Sequence, residues 1–200
     1  MLISFILSLI ACDIPQNDSD VSPYQNGDII FQISTSSQAP AVALASGSPI
    51  THVGLIAVNK TKVTVVEAVE PVREIPIEDF INHGTAWGVY RLEQSPSHPG
   101  WDKKVISVAR SMKGKHYDSL FQWSNTKIYC SELVWKAYKS GAGVELSTPE
   151  KIGDLNLSYE PVQKLIKRRL GKKKLDLNET IVTPGALYES DLIIHVAGIL

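Results

Sequence analysis

Two hydrophobic periods alternate along the chain and divide it into strands and helices. Residues 51–58 and 63–69 are β-branched runs, and the polar tetrapeptide Asn59-Lys60-Thr61-Lys62 between them has the length of a hairpin loop. A loop of this kind pairs Val58 with Val63. Residues 28–33, 72–77 and 87–92 read as further short strands, with a helical turn over 77–83. Residues 39–45 are small, apolar and compatible with a helix. Residues 101–112 carry Val105, Ile106, Val108, Ala109 and Met112 at helical spacing, which predicts a helix ending at Gly114. A second helix is expected over 131–140, with Gly141 as its stop signal. Residues 149–170 are mixed and partly helical, and 192–196 form a terminal strand. Strands grouped apart from helices make an α+β arrangement, and no internal repeat interrupts it.

Composition narrows the function classes. The 200 residues are 44% hydrophobic and 20% charged with a net charge of −1, enough to bury one full core without a second domain. Near-neutral charge and the absence of interleaved aromatic and basic residues argue against a nucleic-acid partner. Only two cysteines are present, Cys12 and Cys130, in contexts too different for a disulfide scaffold. Residues 1–11 are apolar except for two serines and too short to span a bilayer as a mature helix, so they read as the apolar part of an export signal. Leu9-Ile10-Ala11-Cys12 resembles the lipobox of bacterial lipoproteins, which implies a lipidated Cys12 as the new N-terminus. A plain signal peptide or an apolar strand are the alternatives. Residues 13–26 are a polar tether and the folded domain is expected from Gly27 to the end. The basic run Lys164, Lys167, Arg168, Arg169, Lys172, Lys173 and Lys174 contains no acid, and reads either as a solvated helix face or as a patch for an anionic partner, which a membrane surface, a wall polymer or a substrate would supply equally well.

The candidate chemistry centres on Cys130, where an irregular stretch gives way to a helical period. A thiol in the first turn of a helix meets unpaired backbone N–H groups and the positive end of the helix dipole, which favour the thiolate. A cysteine nucleophile also needs a base and a group to orient that base. In the register set by Val58 and Val63, Glu67 lies opposite Gly54, and His52 is its diagonal neighbour on the same face. Diagonal Cα atoms lie about 7–8 Å apart, within reach for an imidazole and a carboxylate. Gly54 then leaves room beside the imidazole, and Thr51 faces away. Each residue alone also has an ordinary structural reading: Cys130 as a small core hydrophobe, His52 as a half-buried strand residue and Glu67 as a solvent-facing one. The other histidines, His83, His98, His116 and His195, lack zinc-site spacing, so neither metal nor cofactor is expected.

Gly27-Asp28-Ile29-Ile30-Phe31, Ser48-Pro49-Ile50-Thr51-His52-Val53-Gly54, Val66-Glu67-Ala68, Gly114-Lys115-His116-Tyr117-Asp118, Tyr129-Cys130-Ser131-Glu132-Leu133-Val134 and the closing Thr183-Pro184-Gly185-Ala186-Leu187-Tyr188-Glu189-Ser190 segment occur in a family order. Together they resemble the circularly permuted branch of the NlpC/P60 papain-like hydrolases, and within it the YiiX-like group. The resemblance implies an antiparallel sheet packed on the cysteine helix, with Cys130 as nucleophile, His52 as base and Glu67 as orienter. It places Tyr129, Asp28 and Tyr117 at motif positions as candidate oxyanion or supporting residues. It further implies an envelope thiol hydrolase cleaving an amide bond, in a cell-wall peptide or an N-acyl amino acid. A thiol acyltransferase or lipase acting on acyl groups is the second reading. A binding lipoprotein without turnover is the third, and the intact Cys130, His52 and Glu67 argue against it. The shape of the pocket beside Cys130, a polar groove or a long apolar tunnel, discriminates the first two.

Overall fold

The computed structural model describes residues 22–60 and 62–200. Its elements run β1 (Ile29–Ser34), α1 (Ala39–Ser46), β2 (His52–Asn59), β3 (Lys62–Glu67), β4 (Arg73–Pro76), α2 (Ile77–Asn82), β5 (Gly84–Leu92) and α3 (Trp101–Ser111). They continue through β6 (His116–Tyr117), β7 (Lys127–Ile128), α4 (Cys130–Ala142), β8 (Glu150–Lys151), α5 (Glu160–Leu170), β9 (Thr180–Ile181), α6 (Pro184–Tyr188) and β10 (Ile193–Gly198). Six strands form one antiparallel sheet in the order β10-β5-β1-β2-β3-β4. The expected α+β class and a sheet packed on the cysteine helix are both present.

The sheet's two faces follow from side-chain alternation. Ile29, Phe31, Val53, Leu55, Ala57 and Val66 point to the face covered by α3 and α4, where they meet Val105, Leu133 and Val134. Ile30, Ile56, Val65 and Val89 point to the other face and are capped by Ile77 and Phe80 of α2. Because β1 is covered on both sides, its start is a continuous apolar run, Ile29-Ile30-Phe31, rather than an alternating one.

Three boundaries differ from the sequence reading for identifiable reasons. The β2–β3 ladder extends to Asn59 and Lys62, so two of the four expected loop residues are paired, and Lys60 lies in the left-handed region (φ 53°), while the Val58–Val63 register stands. Helix α4 does not stop at Gly141 but runs to Ala142, with Gly143 as its left-handed cap at φ 71°. Gly141 instead permits close approach to α3, since a Cβ there would lie 2.6 Å from both the backbone N and the Cα of Val105. Packing also begins before Gly27. Tyr24 packs against the α2-side cluster, Asn26 accepts from the Val58 amide, and Arg91 donates to the Pro23 carbonyl.

The α3–α4 contact makes a testable case. Gly141→Ala gains about 1 kcal/mol of helix propensity, but overpacking against a rigid backbone costs about 1–3 kcal/mol and commonly more at such short approach. A net fall in the urea midpoint is expected. An unchanged or higher midpoint would show that α3 yields freely.

Candidate active site

Strands β2 and β3 carry His52 and Glu67, the expected base and orienter. Gly54 pairs with Glu67, as the loop length predicts, and His52 Nε2 stands 2.6 Å from Glu67 Oε2. A carboxylate only accepts, so Nε2 carries the hydrogen and Nδ1 is the ring nitrogen left for Cys130, which is near enough to shift the titration of the imidazole. The ring is stacked on Phe80, with centroids 5.3 Å apart and planes inclined by 19°. Gly54 does make room, but for the neighbours of the imidazole: a Cβ there would lie 2.5 Å from Val65 Cγ1 and 3.4 Å from Phe80 Cε2.

Arg73 completes the group, and no sequence pattern points to it. It pairs directly with Glu67 across β3 and β4, and its Nε and Nη2 stand 2.9 and 2.8 Å from Glu67 Oε1. The two carboxylate oxygens are thereby divided between imidazole and guanidinium. Burial opposes ionisation of Glu67, yet His52 and Arg73 hold its carboxyl below the usual range. Burial likewise opposes charge on His52, but hydrogen bonds and negative charge from Cys130 and Glu67 raise its pKa from 6.5 to about 10. The imidazolium is therefore the favoured form at neutral pH.

Cys130 is the first residue of α4, with extended Tyr129 as N-cap. The amide of Tyr129 donates to Glu132 Oε2 at 3.3 Å, and the Ser131 hydroxyl donates to the Val182 carbonyl at 2.7 Å, fixing the helix start. Helix geometry leaves the amides of Cys130 and Ser131 without intrahelical acceptors, so they are the donors open to an oxyanion. The Tyr129 hydroxyl accepts from the Val182 amide, and its ring meets Phe121 edge-on.

Glu132 is fully buried, and burial raises its carboxyl to about 7 despite the Lys136 ion pair at 2.7 Å. A folded pKa above the unfolded 4.5 means stability that is complete below about 4.5 and lost as pH rises through 7. Glu132→Gln removes this dependence. The melting temperature of the parent protein, relative to the variant, is expected to fall between pH 4.5 and 7, and a constant difference would exclude a raised carboxyl.

A family model described as permuted papain-like amidase enzyme, YaeF/YiiX, C92 family, matches residues 23–196. The chain belongs to this family. It is 38% identical over 175 residues to the uncharacterized protein YiiX of Escherichia coli (strain K12), covering 86% of each chain. It also superposes on the crystal structure of YiiX from Escherichia coli O157:H7 with a TM-score of 0.82 and 38% identity, covering 88% of this chain and 97% of that one. Membership in a permuted papain-like amidase family supports a cysteine hydrolase type of function. The O157:H7 protein is described as a metalloprotein. Among the described residues of this chain no group of three or more His, Cys, Asp or Glu side chains could hold a metal ion, so its donor set does not fit a resident metal.

Two cavities meet at the site of this family member. The first contains Cys130 and encloses about 850 Å³ including its mouth, with α1 and α5 as its main walls. Ala41, Val42, Ala45, Val162, Leu165 and Ile166 make that lining overwhelmingly apolar. Helix α1 is apolar on every side yet half-exposed at Val42, Ala43, Leu44 and Ala45, so its surface lacks the protein cover such residues normally find. The second cavity, about 870 Å³, contains His52, Glu67 and Arg73 and is lined mostly by polar residues.

The remaining candidates separate. Tyr117 lines both cavities, and its hydroxyl accepts from Gln38 Nε2 at 3.4 Å. Thr51 also lines both while accepting from the Ser34 amide through Oγ1. Asp28 is buried and bidentate to Arg91 at 2.7 Å, with the Gln25 amide as a third donor, so it anchors the start of the domain away from the thiol. Cys12 lies outside the described residues.

Proposed function

We propose that the chain is a thiol amidohydrolase for substrates with an apolar acyl group, working through Cys130, His52 and Glu67. The observation that carries this reading is the apolar cavity opening on a cysteine whose histidine is partnered by a buried carboxylate. An extended acyl chain suits that cavity, whereas the polar stem of a cell-wall peptide would lose its hydrogen bonds to water without finding replacements. Within the amide-cleaving class, the acyl chain favours N-acyl amino acids over wall peptides.

In the reaction the Cys130 sulfur attacks the amide carbonyl carbon, forming a C–S bond, and the oxyanion is received by the Cys130 and Ser131 amides. His52 Nδ1 passes its proton to the amide nitrogen as the C–N bond breaks, and the amine departs. Water then attacks the thioester while Nδ1 takes one of its protons. The C–S bond breaks, releasing the fatty acid and regenerating Cys130 and His52 with the proton they began with. Glu67 accepts from Nε2 throughout and, held by Arg73, keeps Nδ1 aimed at the sulfur. The second reading, transfer to another acceptor or cleavage of an acyl ester, is favoured by the same apolar lining and differs only in what enters after the acyl-enzyme. Incubation with N-lauroylglycine and with p-nitrophenyl laurate, with intact mass and product analysis, tests the proposal. A lauroyl adduct on Cys130 that decays to laurate in water supports hydrolysis, and decay only on adding an amine or alcohol supports transfer. Binding without any adduct would reduce the protein to a binding lipoprotein.

The proposal places the enzyme in the bacterial cell envelope, tethered through lipidated Cys12. Support comes from the lipobox-like Leu9-Ile10-Ala11-Cys12 and from Lys164, Lys167, Arg168, Lys172, Lys173 and Lys174, all exposed on and after α5. Each basic residue near anionic lipid contributes about 1 kcal/mol. Expression in bacteria is expected to give a membrane-fraction protein that Cys12→Ser moves to the soluble fraction. Retention of the variant in the membrane fraction would remove the anchor.

A further inference from the structure

The proposed amidase chemistry leaves one charged group beside the site unused. Arg169 belongs to the basic run, but unlike the exposed Lys167 and Arg168 it turns inward and lines both the apolar cavity of Cys130 and the polar cleft of His52. Its guanidinium therefore stands where the two spaces join. It lies over the Phe121 ring, 4.7 Å from the centroid, and Nη2 donates to Gln38 Oε1, whose amide nitrogen in turn meets Tyr117. Nη1 is buried and has no hydrogen-bond partner among the described residues. Among the same residues no carboxylate is paired with it either: the nearby Asp118 already accepts from the Leu120 and Gln122 amides. Burial pushes its pKa down, partly offset by Tyr117. Even so, arginine stays charged at neutral pH, and a desolvated guanidinium with a free N–H is a fork awaiting an anion.

Building on the amidase reading, we propose that Arg169 Nη1 receives a carboxylate carried by the amine half of the scissile amide, which makes the substrate an N-(fatty acyl) amino acid. In such a molecule the carboxylate is two bonds from the amide nitrogen. With the acyl chain in the apolar cavity and the carbonyl at Cys130, it reaches the junction that Arg169 occupies. The apolar cavity selects the acyl chain, and Arg169 selects a free carboxylate over a neutral amide or an extended peptide.

The test is binding to Cys130→Ala protein, which cannot turn over, by calorimetry with N-lauroylglycine and N-lauroylglycinamide at pH 7. A charge-assisted contact to a buried arginine should make the carboxylate ligand bind about tenfold tighter or more. Arg169→Gln should bring the two within about twofold by weakening only N-lauroylglycine, and Arg169→Lys should restore part of the preference, since lysine keeps the charge but not the fork. Equal affinity of the two ligands with Arg169 intact overturns the proposal and needs no arginine variant. Hydrolysis of both substrates without discrimination would overturn it too, while leaving the amidase reading standing. If neither ligand binds, the acyl-cavity reading fails and takes this one with it.

Discussion

Cys130→Ala is expected to abolish hydrolysis of an N-lauroyl amide, and His52→Ala to lower kcat/KM by about 10³-fold or more, the scale on which a nucleophile and its base act as a unit. Glu67→Gln should cost less, about 10- to 100-fold, because the amide side chain can still accept from Nε2 while losing its charge. Iodoacetamide separates chemistry from folding: at pH 6, His52→Ala should alkylate at least about tenfold more slowly than the parent if the imidazolium is what sustains a reactive sulfur. Equal rates would remove the pair. Arg73→Ala should resemble a weakened Glu67→Gln, acting on kcat rather than on KM, since Arg73 touches the carboxylate and not the acyl cavity. The pH dependence has a definite sign. The folded pKa of His52 is raised from 6.5 to about 10, so stability from its partners is complete below about 6.5 and lost through 10. For Glu67, lowered from 4.5, the contribution is present above 4.5 and lost below it. The alkaline limb of kcat/KM should therefore fall near pH 10, and a limb near 6.5 would mean that His52 titrates as an isolated imidazole.

The hairpin is legible in the sequence because a short polar loop between two β-branched runs fixes register, and register alone determines that His52 and Glu67 share a face. Cys130 is legible because a helix start shows as a change of period. Residues that act through a third segment leave no such mark. Arg73 is separated from Glu67 by Ala68, Val69, Glu70, Pro71 and Val72, an irregular link whose pairing cannot be read from alternation. Arg169 is hidden among six other basic residues, and only the packing of α5 on α1 shows that it alone turns inward. Gln38 precedes a short apolar helix and resembles an ordinary cap, although its side chain makes no capping bond. Gly141 carries the same letter as a helix stop, and the choice between stop and close approach is made by Val105, thirty-six positions earlier. The apolar run at residues 39–45 suits a core helix and an acyl-binding wall equally well as sequence, and α5, from a distant segment, forms the opposite side of the cavity that favours the wall.

That cavity makes the second large effect a matter of chain length. Burying a methylene contributes about 0.8 kcal/mol, close to fourfold in kcat/KM where binding energy is fully used. Across N-acylglycines, kcat/KM should rise by about this factor per carbon until the cavity is filled and then level off. Ala45→Phe places a ring from α1 into the space facing α5 and should move the plateau to shorter chains. Excluding three or four methylenes would lower kcat/KM for the long substrate by about 10²-fold. The same change should leave an N-acetyl substrate within about twofold, because Ala45 lines the acyl cavity and not the cleft around His52 and Glu67. That contrast distinguishes a filled acyl site from a damaged fold, which would lower both substrates together. A flat dependence on chain length in the parent protein would mean that the apolar space beside Cys130 is not where the acyl group binds. The choice would then return to wall peptides bound along the polar cleft.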